Sequence, residues 1–157
     1  MLKVKVAKRR DGFDLDAQFE APTPGVVALF GRSGCGKTTA INILSGLLVA
    51  DSAYIELDGQ VLTDTAAGTS IPPEQRRIGY VFQDGRSFPH MSVLRNLQYG
   101  LKRSPALRLT ITFDQIVALL GLERLLQRQP YQLSGGERQR AAIAGALAAA
   151  PSALVLD

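Results

Sequence analysis

The stretch Gly31-Arg32-Ser33-Gly34-Cys35-Gly36-Lys37-Thr38 constrains this chain more than any other. It fits the pattern G-x-x-x-x-G-K-S/T, and its context is the one that pattern needs. A continuous apolar run, Val26 to Phe30, precedes it and reads as a strand covered on both faces. A segment of helical character follows, from Lys37 to about Leu48. Glycines let successive main-chain N–H groups turn inward around an anion without Cβ clashes. The helix N-terminus adds partial positive charge. The chemistry expected here is a grip on a polyphosphate, with Lys37 reaching the β- and γ-phosphates and the Thr38 hydroxyl ligating Mg²⁺. Thr39, next in the helix, is counted with the nucleotide-binding residues. A glycine-rich turn with a surface lysine would not explain the full spacing together with both flanking elements.

The rest of the chain suits an α/β layer fold with a mostly parallel core sheet. Leu2 to Phe19 alternates as two strands around a turn at Asp11-Gly12, and Pro22-Thr23-Pro24-Gly25 is a turn cluster. Ala53 to Leu57 alternates again, and Asp58-Gly59 offers a hairpin turn before Val61 and Leu62. Thr63 to Glu74 reads as a loop, Ile78 to Phe82 as a strand, and Gln83 to Met91 as an irregular connection. From Ser92 the period becomes helical. Val93, Leu94, Leu97 and Leu101 form one stripe; Ile116, Val117, Leu119 and Leu120 form a second; Leu122, Leu125 and Leu126 make a short third piece. A further helix is expected from about Gly135 to Ala149, then a buried strand from Ala153 to Leu156.

The length of 157 residues fits one domain or most of one, and the single cysteine, Cys35, excludes an internal disulfide. Formal net charge is +4, with a basic start at Lys3, Lys5, Lys8, Arg9 and Arg10. That start lies in an alternating strand pattern, so it reads as a solvated face, and no nucleic-acid partner is expected. The most apolar stretch, Ala141 to Ala150, is too short to cross a bilayer and is closed by Pro151. Any link to a membrane is therefore expected to go through a partner.

The second informative string is Leu133-Ser134-Gly135-Gly136-Glu137. Ser134 and Glu137 have the spacing of a capping box. The two glycines between them each cost up to about 1 kcal/mol against alanine in a helix. They make sense where something approaches the backbone closely, as an anion at a helix N-terminus would.

With these strings in this order the chain resembles the ATP-binding cassette family of P-loop ATPases. Gly31 to Thr38 looks like that family's Walker A loop, and Leu133 to Glu137, continued by Arg138-Gln139-Arg140, like its signature. Gln83, in Tyr80-Val81-Phe82-Gln83-Asp84, looks like the glutamine that touches Mg²⁺ and the attacking water. Leu154-Val155-Leu156-Asp157 looks like the Walker B strand, with Asp157 as the Mg²⁺-side carboxylate. The resemblance implies an ATP-binding core with an N-terminal antiparallel β-subdomain over residues 1–83, a helical subdomain over 84–140 and a return to the core over 141–157. It also implies ATP and Mg²⁺ as ligands, and a head-to-tail pair with a second cassette whose signature residues Ser134, Gly135, Gly136 and Glu137 cover the partner's nucleotide. Within the family, the strings Ile78 to Asp84, Phe88-Pro89-His90, Asn96 to Gly100 and Pro73 to Arg77 are most similar to ATPase subunits of molybdate importers. Related importers for sulfate, polyamines, sugars and iron share many of these residues.

The resemblance carries further expectations. Membrane permease subunits would be contacted through the Gln83 to His90 connection, and a periplasmic or extracellular binding protein would act indirectly. The chain would sit peripherally at the cytoplasmic face of the inner membrane. The family's catalytic glutamate follows the Walker B aspartate and its switch histidine comes later still, so His90 reads as a surface or coupling residue. Gly145 stands where the family usually has arginine, which weakens the helix and removes a charged contact. These residues are thus expected to bind ATP without full turnover on their own. Phe13 is a candidate for stacking on adenine, although its place in an alternating strand favours the core.

Mg-ATP in the loop should shield Cys35. Alkylation by iodoacetamide is expected to slow at saturating nucleotide, and equal labelling with and without it would count against a filled loop.

Overall fold

Alternating valine and lysine in the first ten residues form β1 (Leu2–Arg10), an interior strand of an antiparallel sheet. The computed structural model describes residues 1–10, 12–102 and 111–157. Its chain divides into two compact units, Met1–Arg76 and Arg77–Asp157.

In the first unit β1 pairs along one edge with β2 (Phe13–Ala21), from Leu2 opposite Ala21 to Arg10 opposite Phe13. Along the other edge it pairs with β3 (Ser52–Leu57), from Leu2 opposite Leu57 to Ala7 opposite Ser52. Val4 and Val6 are buried with Ile55 and Leu57, so the period-2 pattern of each strand aims one face at a shared core. Of the expected turn at Asp11-Gly12, Asp11 lies outside the described residues. Asp58 and Gly59 turn the next hairpin with φ of 50° and 83°, the handedness that matches strand twist. They lead into β4 (Gln60–Asp64), which pairs in turn with the two-residue β5 (Thr69–Ser70).

Two strand and loop expectations for this unit are corrected, and a helix boundary after them. The loop expected from Thr63 is partly strand. The Thr65 hydroxyl bonds both the N–H and the C=O of Ala53, and the Asp64 carboxylate accepts from the Ala66 and Ala67 amides. Polar side chains that serve the backbone in this way look like loop residues in a sequence. The covered strand expected at Val26–Phe30 is not formed. Among the described residues no strand pairs with it, and Val26 and Phe30 are 98% and 93% exposed. A covered strand needs ladder neighbours and a layer on each face, and the antiparallel meander β2-β1-β3-β4-β5 supplies neither to this run.

Helix α1 (Lys37–Leu44) is shorter than the expected segment to Leu48. Gly46, at φ 77°, ends it: its N–H bonds the Ile43 carbonyl at 3.0 Å and the Leu47 N–H bonds Asn42 at 2.8 Å. That is a Schellman closure, which requires a left-handed residue at Gly46.

The second unit begins with β6 (Ile78–Val81), parallel to β7 (Ala153–Leu156), from Ile78 opposite Ala153 to Val81 opposite Leu156. Between them run α2 (Val93–Leu101), α3 (Phe113–Leu119) and α4 (Gly135–Ala148). Ser92, Thr112 and Ser134 cap the three helices through their side-chain oxygens. Val93, Leu97, Ile116, Leu133, Ala141 and Ala144 meet in one buried core. Leu122 and Leu125 join that core, but the expected third helical piece is a series of turns, because Gly121 at φ 61° stops α3 and the next bonds run from Leu125 to Leu122 and Arg128 to Leu125. The last strand is also less covered than expected, with Leu156 at 55% exposure. A two-stranded sheet with α4 packed on β6 leaves part of β7 open to solvent.

Helices α2 and α4 touch through backbone. A Cβ at Gly100 would lie 2.5 Å from the Gly145 carbonyl oxygen, whereas a Cβ at Gly145 would meet nothing within 4 Å. Gly100→Ala is therefore expected to lower stability by about 1–3 kcal/mol through overpacking. Gly145→Ala is expected to raise it by about 0.5–1 kcal/mol through helix propensity. Urea melts of the two variants read both signs.

Candidate functional site

The phosphate loop leads directly into α1. Gly34 and Gly36 adopt φ of 79° and 92°, which turns their N–H groups where an L side chain would strain. Gly36 also lies under an aromatic ring: a Cβ there would sit 2.5 Å from the Phe13 ring. Phe13 is therefore half-buried against the loop it was expected either to pack beneath or to extend with an adenine contact. Gly31 faces Cys35, whose Sγ would lie 2.5 Å from a Cβ at that position. Arg32, Ser33 and Cys35 are exposed, as is Thr38.

Lys37 folds back over the loop. Its ammonium donates to the Gly31 carbonyl at 2.8 Å and the Arg32 carbonyl at 2.9 Å, with the Cys35 sulfur at 3.7 Å. An ammonium carries three donors in any direction, so this posture fixes the loop entry and keeps the charge at its rim. The N-cap, Gly36, has no side-chain cap, and the first turn holds no acidic residue. First-turn amides without a capping side chain are the donors that an anion satisfies.

The second unit carries the other expected residues. Gln83 is exposed and follows β6 after Phe82, at the start of the Gln83–Met91 connection. That connection is not slack. Asn96 of α2 donates to the carbonyls of Phe88, Met91 and Ser92 at 3.0–3.2 Å and accepts from the Phe88 N–H at 2.8 Å. Gly85 is buried, and a Cβ there would sit 3.2 Å from the Arg138 backbone, so the connection lies against the first turns of α4. The Arg86 guanidinium stacks 4.3 Å from the Phe82 ring and pairs with Asp84 at 3.3 Å. Beside it lies a cleft of about 360 Å³ lined by Tyr80, Phe82, Arg86, Phe88, Tyr99 and Gly145.

The α4 N-terminus forms the capping box that the spacing of Ser134 and Glu137 foretells. The Glu137 N–H donates to Ser134 Oγ at 3.3 Å, and the Ser134 N–H donates to Glu137 Oε2 at 2.7 Å. The Ser134 backbone N–H, then its hydroxyl, hold the Glu137 carboxyl below its ordinary pKa. Among the described residues nothing lies within 4 Å of a Cβ placed at Gly135 or Gly136, so no contact among them accounts for the two glycines. At the other end of the unit the Tyr80 hydroxyl donates to the Asp157 carboxylate at 3.1 Å. Burial, and then that hydrogen bond, push the Tyr80 pKa up to about 12.

Among the described residues no group of three or more His, Cys, Asp or Glu could hold a metal ion by itself. A Mg²⁺ bound together with a nucleotide takes one or two protein oxygens, the rest of its shell being phosphate and water. The Thr38 hydroxyl and the Asp157 carboxylate are of the right chemical type. One buried residue beside the loop helix went unremarked in the sequence: Arg76, 4% exposed, reaches the C-terminal end of α1. A lone arginine ahead of a strand gives no sequence signal of burial, because arginine is almost never buried unpaired.

Comparison with known proteins places these features. Along its full length the chain is 50% identical to the molybdenum import ATP-binding protein ModC of Paramagnetospirillum magneticum and 49% identical to that of Pasteurella multocida. It spans only 43% and 44% of those proteins, so it covers less than half the length of the curated relatives it matches. The dimeric structure of MJ0796, a bacterial ABC transporter cassette, superposes with a TM-score of 0.77 at 28% identity, over the whole of this chain and 73% of that one. The same cassette in a post-hydrolysis state bound to ADP and Pi superposes at 0.76. No helix among the described residues is long and apolar enough to cross a membrane. The model of the ABC transporter family matches residues 15–157, and the chain belongs to that family.

Proposed function

We propose that this chain is the nucleotide-holding part of the ATPase subunit of an import system for molybdate or a similar oxyanion. The observation that carries the nucleotide reading is the start of α1, where left-handed glycines and an uncapped first turn leave main-chain donors around Lys37. The importer reading is supported by half-identity, along the entire chain, to molybdenum import ATP-binding proteins.

In this reading the amides of Gly31 to Thr39, with Arg32, Ser33 and Cys35 on the loop, surround the β- and γ-phosphates. Lys37 leaves the Gly31 and Arg32 carbonyls to pair with the phosphate oxygens. Thr38, Gln83 and Asp157 would be the Mg²⁺-holding residues; the ion, when bound, would neutralise phosphate charge as the bond to the γ-phosphoryl group breaks. Tyr80 orients the Asp157 carboxylate through its hydrogen bond. Ser134, Gly135, Gly136 and Glu137 present a second helix N-terminus whose open glycines suit the nucleotide of a second, head-to-tail cassette. Hydrolysis then belongs to the paired, whole protein.

The cleft beside the Gln83–Met91 connection is apolar with one arginine at hand, and suits a helix of a membrane permease at the cytoplasmic face of the inner membrane. A substrate-binding protein outside the membrane would select the oxyanion. The subdomain division at residues 83/84 and 140/141 belongs to the same proposal.

Titration with a fluorescent adenine nucleotide and Mg²⁺ is expected to saturate, and Lys37→Ala to weaken binding at least tenfold. Folded chain that gives no saturable signal, or Lys37→Ala that binds as the parent does, would end the nucleotide reading.

A further inference from the structure

We propose that Arg76 is a positioning residue for the phosphate loop: it grips the carbonyl end of the helix whose other end carries Lys37 and Thr38. This rests on the nucleotide reading above and goes beyond it in naming what holds α1 in place.

The guanidinium makes four hydrogen bonds, and they tie three separate segments. Nη1 donates to the carbonyls of Leu44 at 2.8 Å and Ile43 at 3.2 Å, in the last turn of α1. Nη2 donates to the Thr63 hydroxyl on β4 at 2.8 Å. Nε donates to the Ile71 carbonyl at 2.7 Å. The Schellman closure serves Asn42 and Ile43, and Arg76 serves Leu44 and shares Ile43. Gly46 makes room for this: a Cβ there would lie 2.5 Å from Arg76 Nε.

Burial of this kind is not a cheap way to fill space. Among the described residues no carboxylate pairs with Arg76. Its positive charge is offset instead by the partial negative charge of the helix C-terminus and by neutral acceptors. Replacing a buried charge with an apolar side chain of similar volume is often neutral or stabilising. Directional fixing is what the guanidinium adds, since its planar fork meets several acceptors at set angles and an ammonium does not. Helix α1 has eight residues, so it is about 12 Å long and moves as one short rod. A clamp at its C-terminal end therefore sets where the first-turn amides, Lys37 and Thr38 stand.

Two variants test this in the full chain. Thr63→Val is near-isosteric and removes one anchor of the guanidinium; Arg76→Lys keeps the charge and loses the fork. Hydrogen exchange without nucleotide is expected to speed up at least tenfold for the amides of Lys37–Leu44 in Arg76→Lys, and at least threefold in Thr63→Val. Amides of β1 and β2 should keep their protection. With Mg²⁺ present, the ratio of ATP to AMP affinity should fall at least threefold in Thr63→Val. Parental exchange in α1, acceleration spread evenly over β1 to β4, or an unchanged ATP to AMP ratio in a chain that binds both would overturn the proposal. Should Arg76→Lys not fold, Thr63→Val decides alone. A parent chain that bound no nucleotide would remove the proposed function, and the exchange data would still decide whether Arg76 holds α1.

Discussion

An eight-residue helix with no side-chain cap at its N-terminus and a closed, arginine-bound C-terminal turn is the constraint around which the first unit is arranged. Every helix leaves backbone donors at its start and acceptors at its end, and each must be met by something. At the end of α1 the chain meets its own needs, through Gly46, Leu47 and the buried guanidinium of Arg76. At the start it does not: Gly36 offers no side chain, and Lys37 turns back to the loop carbonyls. In the proposed reading one end serves structure and the other a ligand. The antiparallel sheet serves that arrangement by supplying Phe13 beneath Gly36 and Thr63 beside Arg76.

The second unit treats its helix ends differently. Ser92, Thr112 and Ser134 each cap a helix, the last two in reciprocal boxes with Gln115 and Glu137. The helix beginning at Gly135 can thus start without a ligand and still present two glycines that no described residue crowds. The connection after Gln83 is fixed at both flanks, by Asn96 of α2 and by the close approach of Gly85 to Arg138. A displacement of this connection therefore pulls on α2 and on the start of α4 together. A segment that is irregular in backbone but held by several hydrogen bonds is well suited to pass a change along.

The motifs were legible because each is a local solution to a backbone problem. Glycines at fixed offsets before a lysine, and Ser134 three residues ahead of Glu137, bond mainly within their own turn or loop, and the structure contains both arrangements. Alternation disclosed β1 to β3, since period two survives wherever one face is buried. Helical stripes disclosed α2 and α3, and the capping-box spacing disclosed the start of α4. The failures have a common cause. Val26–Phe30 is apolar enough for a covered strand, but apolarity does not supply the neighbours that make one. Thr65 and Asp64 look like loop residues and instead tie the end of β4 to Ala53 of β3 and hold the turn that follows.

By itself, the sequence determined the family, the phosphate loop, the signature turn and the order of elements, all of which rest on spacing within a few residues. Only the tertiary structure decided what contacts those pieces. It set Phe13 under Gly36, Tyr80 on Asp157, and the backbone contact of Gly100 with Gly145. It also turned Arg76, an ordinary basic residue in the string, into a buried clamp. The physical reason is that turn and cap hydrogen bonds are made over short chain distances, while burial depends on which distant segments happen to share a space.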